Sequence, residues 1–531
     1  MKIIRYSQCN NHKKTMHMKT STYLVLGLVI VAGYGFLHDG DQSTPTPFET
    51  INREPSKDRF SHYSPTPIDV DIDDHPFMAA RGKNSMHGDA FNSEVHAHPT
   101  VFTASRPINV RTRVGTKGLG GQCATKTIRR DGKLQLLCSS LFGFEIQLID
   151  PITLNMLARH TLPVRPSLYE ALLHWDRSRI MLDSSGAYFY TDQNDDVLIA
   201  DSMHNILQLR AVQDSAGEYH YIVANQWDLS SHVDSDCLRP SNPFPKGKCD
   251  PITGLLPDYN GLIWWVSRFG RVGTLDTESG AISTLALNEE IQNGFAVASE
   301  GVYIVSDTAL YLFNSDDQST PQVLWREEYD RGTTHKVGSI NQGSGTTPSI
   351  FGDYITITDN ADDRINLVIY GRYPNHRKIC QVPLFESGAS ATENSMIAFN
   401  NSVIIENNAG FTNAHQHKDY SNIAPGLMRI DVTSKGQACE IVWHKDIVIP
   451  SVVSKFSSDT GLVYTYTFES QADGSNDWYL VGLDYQSGDE AFRIHTGNGK
   501  AYNNNFSPIT LAADGTVYIG SSRGLISVAQ Q

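Results

Sequence analysis

From Gln122 to the end of the chain, short apolar strands recur with turn signals and polar loops between them. ATKTIRRDGKLQLLCSS…FEIQLIDPITLNMLARHTL is one copy, and GLIWWVSRFGRVGTLDTESGAISTLAL, NGFAVASEGVYIVSDTALYLFN and NSMIAFNNSVIIENN repeat its plan. Asp131-Gly132, Ser279-Gly280, Ser487-Gly488 and Asp514-Gly515 punctuate the strands as tight turns do. Each copy spans about 40–50 residues, the period of a β-propeller blade. One four-stranded blade cannot bury both faces, and stacking blades around an axis covers them. The pattern predicts an all-β chain, a β-propeller of seven or eight four-stranded blades. An array of β-sandwiches is the alternative, with less regular strand–turn–strand units. The last copy, FSPITLAADGTVYIGSSRGLISVAQ, supplies three strands. A strand near 99–113 is expected to complete it and close the ring.

The N-terminal part has a different texture. Residues 1–19 hold Lys2, Arg5, Lys13, Lys14 and Lys19 and no acid, and STYLVLGLVIVAGYGFL (21–37) follows without a charge. That length is at the short limit of a membrane span and also suits the apolar region of a signal peptide. Basic residues before it, with Asp39 and Asp41 after it, put the N-terminus inside and the body outside. Residues 38–85, with QSTPTPFET and HYSPTPIDV, read as an extended, disordered spacer. The expected organisation is a cytoplasmic tail (1–20), a transmembrane anchor or signal peptide (21–37), a linker (38–85) and a propeller (86–531). The body then lies in the periplasm, anchored to the inner membrane, or is secreted if the leader is cleaved.

Net charge is −15. A nucleic-acid binder carries the opposite sign, so cations or ligands with basic groups are the better partners, and a monomer is expected. Cys9 lies on the inner side, and six cysteines lie in the exported part. An even count in an oxidising compartment suggests disulfides. Proximity favours Cys123–Cys138 and Cys237–Cys249, which leaves Cys380–Cys439; free buried thiols are the alternative. With no CxxC, zinc-ribbon and thioredoxin-type chemistry is excluded.

In a propeller, the start of each innermost strand and the loop between second and third strands share one face. The expected strand starts are Gln292-Asn293-Gly294, Gly345-Thr346-Thr347-Pro348, Glu393-Asn394-Ser395 and Asn504-Asn505-Phe506. The expected loops are TDQNDD (191–196), TDNADD (358–363) and ENNAGFTNAHQHKDY (406–420). Asp359, Asn360, Glu393, Asn394, Glu406 and Asn407 would then offer a ring of oxygens to Ca2+, a hard cation that takes six to eight of them. The alternative is that they cap turns. DQNDDV lacks the glycine of an EF-hand loop and is rejected as one. MHGDAFNSEVHAHP (86–99) gathers His87, Glu94, His96 and His98 before the propeller. Alternation along a strand would point Glu94, His96 and His98 the same way, which suits metal ligation or a general base. His87 is the candidate base, with His335 a second; His415 and His417 could lie over the same mouth. A solvated lead-in is the bland alternative.

DGTVYIGSSRGLISV, EGVYIVSDTALYLFN and WYLVGLDYQSGDEAFRIHTGNG resemble blades of the PQQ-binding-like, quinoprotein-type propeller family, over about 120–530. The resemblance implies the fold. The tryptophans that lock blades in quinoprotein dehydrogenases do not recur in register, and their adjacent cysteines are absent, so bound PQQ is not expected. The TTP…TDNADD…ENN run is similar to exported bacterial propellers of no established activity. The expected function is binding of a ligand or protein partner at an acidic channel mouth. A Ca2+-dependent hydrolase or lactonase is the alternative, and a quinoprotein dehydrogenase a more distant one.

Overall fold

Strands apolar on both faces, such as Ile263–Ser267 and Gly301–Val305, bury one face against the preceding blade and the other against the next. The computed structural model describes residues 53–530, apart from 71, 73, 80–83, 99–100, 115–120, 140–142, 177, 182, 184, 415–416 and 434. Residues 1–52, including the expected tail and anchor, lie outside the described residues. Among the described residues no helix is long and apolar enough to cross a membrane.

Eight antiparallel sheets surround one axis. Blade 1 runs from Cys123–Ile128 through Leu134–Ser139 and Phe144–Ile149 to Met156–Thr161, and blade 2 from Phe189–Thr191 to Tyr219–Asp228. Blades 3 to 6 begin at Ile252–Pro257, Ala296–Ala298, Ser349–Phe351 and Ile397–Phe399, each the innermost strand. Blade 7 carries Lys455–Ser457 innermost and Glu490–Asn498 towards the outside. Blade 8 has Ile509–Leu511, Val517–Ser521 and Gly524–Gln530, and its outermost strand is Ile108–Val114. The count is therefore eight, and the ring closes with the N-terminal strand as expected. Closure removes the free edge that two ends of an open sheet stack would leave.

Trp264, Trp265, Tyr464, Tyr466 and Trp478 are buried between blades, as expected of core residues. Gly273 pairs with Trp265 across two strands of blade 3, and a Cβ there would lie 2.2 Å from the indole. The glycine lets the ring lie flat on the neighbouring strand. The three disulfides join the expected pairs: Cys123–Cys138, Cys237–Cys249 and Cys380–Cys439. They fit an oxidising, extracytoplasmic setting.

Two expectations are corrected. The body takes in part of the stretch assigned to the 38–85 linker. Arg59–Phe60 adds a strand to the outer edge of blade 7, and Phe77 packs under Gly261 of blade 3. Proline-rich composition hid these contacts because they are made by scattered residues with no period. Second, 192–196 of TDQNDD is the turn between the first and second strands of blade 2, because the innermost strand is only Phe189–Thr191. It lies on the turn face, opposite TDNADD and ENNAGF, which do connect second to third strands on the loop face.

The largest departure is in the channel. Residues 84–96 fill it from the turn face. Backbone carbonyls of Ser85, Ala90, Phe91, Ser93 and Glu94 accept from Lys126, Val297, Ile350, Ala398 and Phe456, on the innermost strands of blades 1, 4, 5, 6 and 7. Ser85 N–H donates to Phe189 of blade 2. Asn92 donates to Phe295 O and Pro348 O, both at 3.0 Å. Innermost strands of a propeller leave backbone groups facing the axis, and here the chain's own plug satisfies them.

Candidate functional site

The plug explains the fate of the histidine-rich stretch. Asn92 and Glu94 take left-handed backbone, with φ of 55° and 62°. Strand alternation therefore starts only at Val95–His96, which pairs parallel to Lys455–Ser457. Glu94 does not share a face with His96 and His98. It turns inward, 0% exposed, where Oε1 meets His87 Nδ1 at 2.6 Å and Oε2 meets Lys455 Nζ. Lys455 also donates to Met86 O at 2.7 Å. Burial pulls the Lys455 ammonium below its ordinary value, opposed by the charge of Asp89. Burial first, and then Lys455, holds the His87 imidazole well below its ordinary value. His87 is 2% exposed and stays neutral at neutral pH; among the described residues its Nε2 has no hydrogen-bond partner. His96 and His98 instead line a cavity of about 100 Å3 on the turn face, with His75 and Asp89.

Above the plug, towards the loop face, Tyr188 stands 5.9 Å from the His87 ring and bonds to Thr347 and Gly294. Burial, with the nearby Glu393 charge, pushes its phenol up to about 12. Glu393 lies half-buried at the start of blade 6, as its place in the repeat predicted. Its N–H donates to Asn408 Oδ1 at 3.0 Å, and Ile340 N–H reaches its carboxylate at 3.4 Å. Gly345 passes so close that a Cβ there would sit 2.9 Å from Glu393 Oε1. Burial pushes the Glu393 carboxyl up to about 7, against the Ser339 hydroxyl and the Ile340 N–H.

Next to it, Asn394 donates to Glu406 Oε1 and to Val452 O, the latter at 2.7 Å. Ser454 donates to Glu406 Oε2 at 2.7 Å. Burial pushes the Glu406 carboxyl up to about 8, which makes it an acid at neutral pH. Among the described residues none donates to the buried Asn394 Oδ1. A buried acceptor left open costs about 1–3 kcal/mol, so this oxygen is a place where a donor or cation gains binding energy.

The other proposed cation ligands are spoken for. Asp359 Oδ1 accepts from Asn366 N–H at 2.6 Å, and Oδ2 accepts from the Asn366 side chain at 2.7 Å. Asn360 donates to Arg331 O at 3.0 Å. Asn407 donates to Ala389 O and Pro425 O at 2.8 and 3.0 Å, and its Oδ1 accepts from Ala391 and Ala409. These residues cap turns. Glu393, Asn394 and Glu406 are brought together in blade 6, while Asp359 and Asn360 remain in the turn of blade 5. Among the described residues, the one group of three ligand atoms within 4.8 Å of each other is His204 with Cys237 and Cys249, and that pair is a disulfide.

His335 is exposed on the 330–345 loop, and no hydrogen bond or ring contact joins it to His87. His417 packs against Phe411 and Tyr420 at 5.1 and 4.8 Å; His415 lies outside the described residues. Sequence reasoning missed Tyr188, Lys455 and Lys126. Burial pulls Lys126 down to about 7, and its Nζ donates to Pro508 O at 2.6 Å where blade 8 meets blade 1. A lysine inside an apolar strand, as in ATKTI and KFS, was the available signal.

No protein-family model matches the chain. Over 314 residues it is 26% identical to an uncharacterized protein of Archaeoglobus fulgidus, a match covering 52% of this chain and 60% of that relative. The chain thus spans about 60% of the length of the relative it matches. Quinohemoprotein alcohol dehydrogenase from Comamonas testosteroni superimposes with a TM-score of 0.51 at 10% identity, over 85% of this chain and 81% of the enzyme. Dihydro-heme d1 dehydrogenase NirN aligns over 83% of this chain and 78% of its own, at 10% identity and a TM-score of 0.42. At these identities the likeness is one of fold: the chain is a propeller of the kind that quinoproteins also use.

Proposed function

We propose that this chain is an exported propeller, held at the membrane by residues 21–37, that binds a ligand or protein partner at the loop-face mouth of its channel. The observation that carries this reading is the plug. It fills the channel from the turn face, so the loop face is the remaining entrance. The polar anchors there are Glu393, Asn394 and Glu406. A ligand presenting an ammonium, an N–H or a cation suits the open Asn394 oxygen and the Glu393 carboxylate. Around them Asp330, Asp359, Asp362 and Asp363 outnumber Lys336, which they surround, and this keeps the mouth acidic.

The Ca2+-dependent hydrolase reading is less well supported. It needs Asp359, Asn360 and Asn407 to give up turn bonds, and His87 to act from a buried position. A photo-cross-linker at Ser387, on the loop face, and at Asp353, on the turn face, tests the binding reading in cells. Adducts from Ser387 alone, abolished by Glu393→Lys, are expected. Equal adducts from both faces, or adducts from Asp353 only, contradict it.

A further inference from the structure

The connection from blade 2 to blade 3 is built unlike the rest of the loop face. Cys237 and Cys249 close it into a covalent ring, CLRPSNPFPKGKC. Between the two cysteines stand Arg239, Lys246 and Lys248 and no acid, on a chain whose net charge is −15. The ring is held stiff from inside. Asp236 accepts from Lys246 N–H at 2.7 Å, from Gly247 N–H and from the Asn242 side chain at 2.5 Å. Arg239 ties the ring down by donating to Ser202 O at 2.7 Å. Pro243 and Pro245 fix the backbone on either side of Phe244. At the tip Phe244 is 66% exposed, and Lys246 and Lys248 are exposed beside it.

A second apolar group adjoins the ring. The helix Pro166–His174, inserted between blades 1 and 2, brings Tyr169 close enough for the Arg239 charge to act on its phenol. Trp175 ends this helix and is 81% exposed. Met203, at 42% exposure, lies against Arg239. An exposed aromatic on a rigid, basic loop matches the interfacial zone of a bilayer, where aromatic rings sit at headgroup level and lysines meet anionic lipid.

The chain outside the structure gives this patch its occupant. Residue 53 enters at the outer edge of blade 7, on the same loop face: Glu54 N–H donates to His495 Nδ1, and Lys57 bonds Asp477, just after the loop between second and third strands. Residues 38–52 separate it from the apolar segment 21–37, a leash of about 50 Å at full extension. The loop face is therefore kept within reach of the membrane.

We propose that the Cys237–Cys249 ring, through Phe244, Lys246 and Lys248, docks on an anionic phospholipid bilayer. This inference rests on the anchored reading of 21–37. Docking at blades 2 and 3 tilts the body, so that the acidic mouth near blades 5 and 6 turns away from like-charged lipid and stays open to its ligand.

The test uses the full chain in nanodiscs of phosphatidylcholine alone and of phosphatidylcholine with phosphatidylglycerol. Resistance to alkaline carbonate extraction reports the anchor separately, and amide exchange over 238–248 reports the ring. We expect exchange there to slow about thirtyfold on the anionic discs, the ratio two basic residues yield at such a surface. Lys246→Glu/Lys248→Glu should remove the protection while the disulfide and the anchor persist, and Phe244→Ser should weaken it. An anchored chain whose ring exchanges equally fast on both discs and in detergent overturns the docking and leaves the anchor standing. Extraction of the chain by carbonate overturns the anchored reading and the docking with it.

Discussion

Lys455→Met isolates the energetics of the plug. Glu94 and Lys455 are 0% and 1% exposed, and each is the other's nearest opposite charge. Methionine matches the length of the lysine stem, so little packing is lost. The carboxylate is left in the channel with one imidazole bond, and Met86 O loses its donor. Breaking a buried pair from one side costs about 3–5 kcal/mol, a large part of the roughly 5–15 kcal/mol that holds a domain folded. The expected loss is about 4 kcal/mol, read from urea unfolding followed by tryptophan fluorescence. The loss should shrink on acidification. In the native protein burial holds both Lys455 and His87 below their unfolded values, and Lys455 further opposes protonation of His87; acid therefore destabilises the wild type as both are forced to charge. In the variant, His87 can take the proton and pair with Glu94, so this acid penalty is smaller. The wild-type-to-variant gap should be larger at pH 8 than at pH 5.5. The double variant Lys455→Met/Glu94→Leu should regain most of the loss. A single-variant loss below about 1 kcal/mol, or a gap independent of pH, refutes the buried network.

Glu406→Gln should stabilise the protein increasingly as pH rises. The folded carboxyl sits at about 8 against 4.5, so the native state holds the extra proton and stability falls with pH across that window; unfolding curves at pH 5 and 8.5 check the sign. Phe91→Ala should cost about 3–5 kcal/mol, because Phe91 is 6% exposed in the plug and packs among residues of blades 4 and 5; chemical unfolding measures it. Replacing Cys380 and Cys439 together with serine should cost about 2–5 kcal/mol, since they join the outer strands of two successive blades across 59 residues; reduced and oxidised wild type should bracket the variant in a thermal melt.

The strands were legible because short apolar runs and Asp-Gly or Ser-Gly turns are local signals. The innermost-strand starts at Glu393 and Asn504 followed from the same repeat, and the disulfides from proximity. TDQNDD was misplaced because the three-residue strand Phe189–Thr191 is too short to show its period. The plug was invisible for a different reason. Its carbonyls are satisfied by N–H groups hundreds of residues away, and no local pattern encodes that. Its polar residues therefore looked like a ligand set, when His87, Glu94 and Lys455 bond to one another. The carboxylates of TDNADD likewise match turn caps and cation ligands equally well in sequence, and only the Asn366 bonds to Asp359 separate the two.

The chain's own residues 84–96 close the channel and leave the loop face as its mouth. Hydrogen exchange of the Val297, Ile350, Ala398 and Phe456 amides measures this directly, because each donates to a plug carbonyl. All four should exchange only with global unfolding, as slowly as the blade cores. Exchange of these four within seconds, beside protected neighbours in the same strands, would show an open channel and contradict it.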